Sequence, residues 1–207
     1  VLGQVVKFGW SFLKRDNFPE KLEKLRSYVA LKAAAASGGQ KSALDEILAH
    51  VDGAIISASD LERETSKNTD ITLSAAAVAS LDLGKHIADA RDIYTKSNLN
   101  DQELDLLLKE VEESLVGFNN EIGSRFGEKR AAVDNALANL KNQPELAKEA
   151  LDRLHAAQSQ GKEFVPDQNL AQSISKPDQV VETAVSDPEE IKQIQGSLGT
   201  SKTGEWD

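Results

Sequence analysis

The segment Asn100–Asn142, NDQELDLLLKEVEESLVGFNNEIGSRFGEKRAAVDNALANLKN, decides the fold. Its apolar side chains recur mostly every three, four or seven residues, the spacing that places them on one face of an α-helix. They are Leu104, Leu107, Leu108, Val111, Leu115, Phe118, Ile122, Phe126, Val133, Leu137 and Leu140. A helix of about 40 residues is roughly 60 Å long, so other helices must cover its apolar face. We therefore predict an all-α fold, an elongated antiparallel bundle of five or six helices organised around this one long helix.

Three glycines lie in the second half of the long helix. Gly117, Gly123 and Gly127 each cost about 1 kcal/mol relative to alanine in a helix. Gly123 and Gly127 have the GxxxG spacing, but the charged Arg125 between them argues against a helix contact inside a membrane. We predict a hinge at these glycines, which would divide the stretch into two helices near Gly123.

Helix start and stop signals divide the chain into three regions. At 207 residues it is long enough for one domain and a tail. Residues 1–15 are predicted to form an amphipathic helix, residues 16–161 the helical bundle, and residues 162–207 an acidic, mostly disordered tail with room for one short helix at 187–195. Because the chain contains no methionine, we expect Val1 to follow a processed or trimmed start.

Charge is distributed unevenly along the chain. Residues 1–41 carry eight Lys/Arg and three Asp/Glu, a net charge of +5, whereas residues 42–161 carry twelve and twenty-two, a net charge of −10. An acidic body argues against binding to nucleic acid, which needs a basic face to replace phosphate counterions. The basic end indicates attraction either to an anionic surface or to the protein's own acidic body.

The N-terminal segment combines aromatic and basic residues. Three of the ten aromatic residues of the chain lie between positions 8 and 12. The segment is too short to span a bilayer, which takes about 20 apolar residues, but its composition suits a helix lying at a membrane interface. The residues predicted to bind a membrane or a partner are Val5, Val6, Lys7, Phe8, Trp10, Phe12, Leu13, Lys14 and Arg15. The alternative is an N-terminal helix packed on the bundle.

These features predict a non-enzymatic protein that associates with membrane lipid. Its N-terminal helix would dock on or insert into a membrane, so the protein would be soluble or membrane-peripheral. The near-heptad apolar stripe from Leu44 to Leu61 predicts coiled-coil packing and self-association into a homo-oligomer. The layout, a hydrophobic leading helix before a soluble bundle, resembles that of helical membrane-active and cell-death executioner proteins, with no motif matched. The alternative function is a soluble scaffold or adaptor that binds a partner protein helix.

No motif predicts catalysis, a cofactor or a metal site. The chain has no cysteine, which excludes thiol chemistry and cysteine-based zinc sites, and it lacks the common nucleotide-binding, hydrolase and metalloprotease motifs. His50, His86 and His155 are isolated from one another, each on a different predicted helix beside ordinary acidic residues such as Asp82. We therefore predict no catalytic, cofactor-binding or metal-ligating residue, with a histidine–carboxylate site assembled in the bundle core as the minor alternative.

Overall fold

The computed structural model describes residues 18–67 and 69–175, and every regular element in these two ranges is helical. The predicted all-α bundle is confirmed. The seven α-helices of this part are α1 Phe18–Ala35, α2 Gly38–Glu64, α3 Asp70–Lys96, α4 Gln102–Arg125, α5 Arg130–Asn142, α6 Pro144–Ser159 and α7 Gln168–Ser175, with a 3-10 turn at Gly127–Lys129 between α4 and α5. The helices predicted at 1–15 and 187–195 lie outside the described residues.

Local sequence explains where several helices begin. Thr69 precedes α3 in a capping box: its side chain accepts a hydrogen bond from the Thr72 backbone N–H, and the Thr72 side chain accepts one from the Thr69 backbone N–H. Asp101 precedes α4 and accepts a hydrogen bond from the Leu104 backbone N–H at 3.1 Å. Pro144 occupies the first turn of α6, where its missing N–H costs nothing. These residues satisfy or remove backbone donors that a helix start leaves unpaired.

The helix with the broadest contacts is α3. It packs most extensively on α2 and also contacts α4, α5, α6 and α7, whereas α1 lies against α2 and α4. The segment 74–79 of α3, SAAAVA, is buried on every side, because short side chains let helices approach closely from several directions. Among the described residues, α3 therefore makes more extensive helix–helix contacts than either half of the 100–142 segment.

The segment 100–142 consists of two helices. Helix α4 ends at Arg125 and α5 begins at Arg130, and Gly127 between them has a φ of +57°, in the left-handed region that glycine tolerates best. Helix α4 packs on α1 and α3, whereas α5 packs on α3, α6 and α7, so the apolar stripe changes neighbours at the break. Gly117 and Gly123 lie inside α4. The division therefore falls just beyond the predicted position at Gly123, and movement at this joint stays a prediction.

The heptad-like stripe of α2 is buried within the single chain. Ile47, Val51 and Leu61 are at most 2% exposed, and α2 packs most extensively on α3 and α1. The stripe that motivated the prediction of self-association therefore packs largely within the chain, and self-association itself stays a prediction.

One continuous apolar core joins the helices. At the start of α1, the Phe18 ring stacks on the Phe118 ring of α4 with a centroid separation of 4.7 Å. The largest side chains that are almost completely buried come from all seven helices: Phe18, Phe118, Leu22, Leu25, Ile47, Leu61, Leu83, Leu104, Leu108, Leu140, Leu154 and Ile174. Burial of so many large side chains in one cluster indicates that the described helices form a single packed unit.

Packed structure extends beyond the predicted bundle boundary at residue 161. Phe164, Leu170 and Ile174 are at most 5% exposed, and α7 contacts α3 and α5. The Asn139 side chain on α5 donates to the Ser173 backbone carbonyl at 2.6 Å. The compact unit therefore ends at Ser175, and the first part of the predicted disordered tail belongs to the body.

Alanine substitutions at two glycines test the backbone at the break between α4 and α5. Gly127→Ala is expected to lower the free energy of unfolding by about 1 kcal/mol, because alanine disfavours the left-handed conformation. Gly84→Ala is the matched control, since Gly84 lies inside α3 and an added Cβ meets no atom within 4 Å; it is expected to raise the same free energy by up to about 1 kcal/mol. Urea unfolding followed by circular dichroism measures both, and changes of equal sign would contradict the backbone described at Gly127.

Candidate functional site

The residues predicted to bind a membrane or a partner, which fall within Val5–Arg15, lie outside the described residues. The nearest described helix in sequence is α1, which begins at Phe18. Because Phe18 is fully buried against Phe118, the chain is fixed to the body at the point where α1 starts. The first described surface that follows the predicted binding segment in sequence is therefore the outward face of α1.

The outward face of α1 carries exposed lysine and apolar side chains. Helix α1 has four Lys/Arg and two Glu, and Arg26 pairs with Asp52 of α2. Lys24 and Lys32 are exposed, and the large apolar side chain of Leu31 is 70% exposed. The Lys32 ammonium lies 5.4 Å from the centroid of the Tyr28 ring. We call Lys24, Leu31 and Lys32 the α1 surface.

Histidines that are distant in sequence meet where α2, α3 and α6 pack together. His50 lies on α2, His86 on α3 and His155 on α6. The ring centroids of His50 and His86 are 5.3 Å apart, and those of His86 and His155 are 5.7 Å apart. Asp82 lies one turn before His86 and hydrogen-bonds to both His86 and His155. We call these four residues the His–Asp cluster. They correspond to the minor alternative predicted from the sequence, a histidine–carboxylate site assembled in the bundle core.

Asp82 is the buried centre of the cluster, with only 1% of its surface exposed. Its Oδ2 is 3.1 Å from His86 Nε2, and its Oδ1 is 2.7 Å from His155 Nε2. The Ser57 hydroxyl on α2 also donates to Oδ2. Burial by itself would raise the pKa of Asp82, but the hydrogen bonds from His86, Ser57 and His155 hold that pKa below its ordinary value. The cluster therefore contains a buried carboxylate anion at neutral pH.

His50 contacts the opposite side of the His86 ring. The two Nδ1 atoms are 3.0 Å apart, so one ring donates a proton and the other accepts it. Burial and the neighbouring His86 lower the pKa of His50. In the tautomer whose Nε2–H donates to Asp82, the Nδ1 atom of His86 is an acceptor, and a neutral His50 can donate its Nδ1–H to it.

Gly53 provides the space that the His86 ring occupies. It lies inside α2, where a Cβ atom would be 2.5 Å from His86 Nε2, far closer than a van der Waals contact. Glycine inside a helix costs about 1 kcal/mol relative to alanine. Gly53 therefore lowers the intrinsic stability of α2 but lets the His86 ring lie against the α2 backbone.

The cluster reaches solvent on the α6 side. The exposed fraction of the side chain is 46% for His155, 17% for His86 and 1% for Asp82. Farther along α6, Gln158 donates to the Ser57 hydroxyl at 3.2 Å and to Asp60 Oδ2 at 2.8 Å. Two imidazoles and a carboxylate around one space can share protons or hold a divalent cation.

Residue spacing along the sequence indicates only part of the His–Asp cluster. Asp82 and His86 are four residues apart, a separation that places two side chains on the same helical face. That pair is a readable signal, and the prediction that the three histidines are isolated and that Asp82 is an ordinary acidic helix residue is wrong. His50 and His155 join it only because α2 and α6 pack beside α3, which spacing along the chain does not encode.

Comparison of the chain with protein-family models, with curated proteins and with solved structures finds no match. Within residues 18–67 and 69–175, no helix combines the length and the apolarity needed to cross a bilayer. Function is therefore inferred from the N-terminal sequence, the α1 surface and the His–Asp cluster.

A double-mutant cycle tests the close approach of α2 to His86. Gly53→Ala is expected to lower the free energy of unfolding by about 1–3 kcal/mol, because the new methyl group collides with a ring held by Asp82 and His50. In a His86→Ala background the same change is expected to raise stability by up to about 1 kcal/mol, because alanine is the better helix former. Urea denaturation in the presence of EDTA measures all four proteins; an equal effect of Gly53→Ala in both backgrounds would refute the contact.

Proposed function

We propose that this protein is a non-enzymatic helical bundle that associates with anionic membrane lipid. The N-terminal segment would form an amphipathic helix that docks on or inserts into the interface of the bilayer. The observation that carries the proposal is the grouping of Phe8, Trp10 and Phe12 with flanking lysine and arginine residues. Aromatic rings and cationic side chains are favoured at the level of the lipid headgroups.

The α1 surface supports the same role. Lys24 and Lys32 are exposed beside the exposed Leu31, on the helix that directly follows the N-terminal segment. A lysine or arginine near an anionic bilayer contributes about 1 kcal/mol of attraction. The residues after position 41 carry an acidic excess and are repelled by the same bilayer, so the protein would approach the lipid with α1 foremost.

A soluble scaffold or adaptor is the second candidate function. Leu106 and Val116 on α4 are 51% and 63% exposed, and Leu31 on α1 is 70% exposed. Helices α1 and α4 pack against each other, so these side chains belong to two adjacent helices that a partner protein helix could contact. Self-association would use such outward side chains, since the α2 stripe is buried.

Co-sedimentation with vesicles tests the membrane proposal. The full chain is expected to pellet with phosphatidylserine/phosphatidylcholine vesicles, to remain in solution with pure phosphatidylcholine, and to be released by high salt, because much of the attraction is electrostatic. Deletion of residues 1–15 is expected to reduce the bound fraction at least about tenfold. Equal binding by the deleted chain would contradict the proposal.

Tryptophan fluorescence distinguishes the two candidate functions. The chain has two tryptophans, so Trp206→Phe leaves Trp10 as the only one. Membrane docking predicts a blue shift of Trp10 emission and protection from a soluble quencher when anionic vesicles are added. A Trp10 that is shielded without lipid and unaffected by vesicles would favour the scaffold.

A further inference from the structure

We propose that Asp82, His86 and His155 bind one divalent transition-metal ion, with Zn²⁺ as the best match. This inference is independent of membrane binding, because it concerns α3 and α6 and not the N-terminal segment. Nothing in the proposed lipid association requires a metal. The two proposals can therefore fail separately.

The positions of the donor atoms carry the proposal. One carboxylate oxygen of Asp82 and one ring nitrogen from each of the two histidines all lie within 4.8 Å of one another. In a tetrahedral zinc site with bonds of about 2.0–2.1 Å, ligand atoms are roughly 3.4 Å apart. His86 Nε2 lies 3.1 Å from Asp82 Oδ2, and His155 Nε2 lies 2.7 Å from Asp82 Oδ1. Small movements of these side chains would let one ion bond to both Nε2 atoms and to one carboxylate oxygen, with each ring then carrying its single proton on Nδ1.

The residues around these donors resemble the outer ligand shell of metal sites. A metal-bound histidine usually donates its second ring N–H to another protein group. His86 Nδ1 already lies 3.0 Å from His50 Nδ1, which fixes the ring with Nε2 toward Asp82. Ser57 donates to the Asp82 carboxylate. Both contacts orient the proposed ligands before any ion arrives.

The chemistry of the donors selects the class of metal. Two imidazole nitrogens and one carboxylate oxygen suit Zn²⁺, Co²⁺, Ni²⁺ and Cu²⁺, whereas Mg²⁺ and Ca²⁺ prefer ligand sets made of oxygen atoms. Because Asp82 is buried, water screens its negative charge poorly, and its attraction for a cation is correspondingly strong. His155 is half-exposed, which gives an ion a path from solvent and leaves a coordination position that water can occupy.

Isothermal titration calorimetry with ZnCl₂ tests the proposal on the full chain, purified without a histidine tag and stripped with EDTA. The wild-type protein is expected to bind one Zn²⁺ per chain with a Kd of about 1 µM or lower, and excess Mg²⁺ or Ca²⁺ is not expected to compete. His155→Ala is expected to weaken binding at least about 100-fold, because it removes a ligand and the loss of an outer-shell partner alone costs up to about 100-fold. Asp152→Asn is the matched control, because Asp152 is an exposed carboxylate on the same helix, and its removal is expected to leave the affinity unchanged.

Two further measurements distinguish loss of the metal site from loss of folding. Circular dichroism checks that His155→Ala folds, and Zn²⁺ is expected to raise the Tm of the wild-type protein but not of this variant. Co²⁺ bound to the wild-type protein is expected to give visible d–d absorption that Zn²⁺ abolishes. No heat and no Tm shift on adding Zn²⁺, or equal affinities for wild type and His155→Ala, would overturn the proposal and leave the cluster as a hydrogen-bond network.

Discussion

The buried carboxylate of Asp82 lies on α3, the helix with the most extensive contacts, and it fixes how α2, α3 and α6 pack together. Asp82 is only 1% exposed, and an ionised group in such a place costs several kcal/mol unless other groups stabilise it. Its partners come from three helices: Ser57 on α2, His86 on α3 and His155 on α6. These helices must therefore meet at one level and in one register, whereas apolar packing elsewhere in the core has less directional preference.

The protein has two candidate functional sites, and they lie on different helices. The basic, partly apolar α1 surface follows an aromatic and basic N-terminal segment, and the two together suit attraction to an anionic bilayer. The His–Asp cluster lies among α2, α3 and α6 and suits a divalent cation. The burial of Phe18 against Phe118 joins α1 to the same core, so the α1 surface and the His–Asp cluster belong to one packed unit.

Much of the helical fold is readable from the sequence, because apolar periodicity and caps are local properties. The Asp101 cap and the Pro144 start of α6 are examples. Helix α7 escaped prediction because eight residues give too short a periodic signal, and packing on α3 and α5 stabilises it. The glycine pattern indicated a joint but could not single out Gly127, the one of the three glycines with a positive φ, because glycine has the same local conformational freedom at each position. The His–Asp cluster depends on the order of helices around α3, which no local spacing specifies.

X-ray absorption at the zinc edge tests the central claim most directly, because it observes the ligands and not only the affinity. Zn²⁺ bound to the full chain is expected to show a first shell of nitrogen and oxygen at about 2.0–2.1 Å, with outer-shell scattering from two imidazole rings. In the His155→Ala protein one of these imidazole contributions should disappear. A shell of oxygen atoms alone, or a spectrum unchanged by His155→Ala, would contradict the assignment of Asp82, His86 and His155 as the metal ligands.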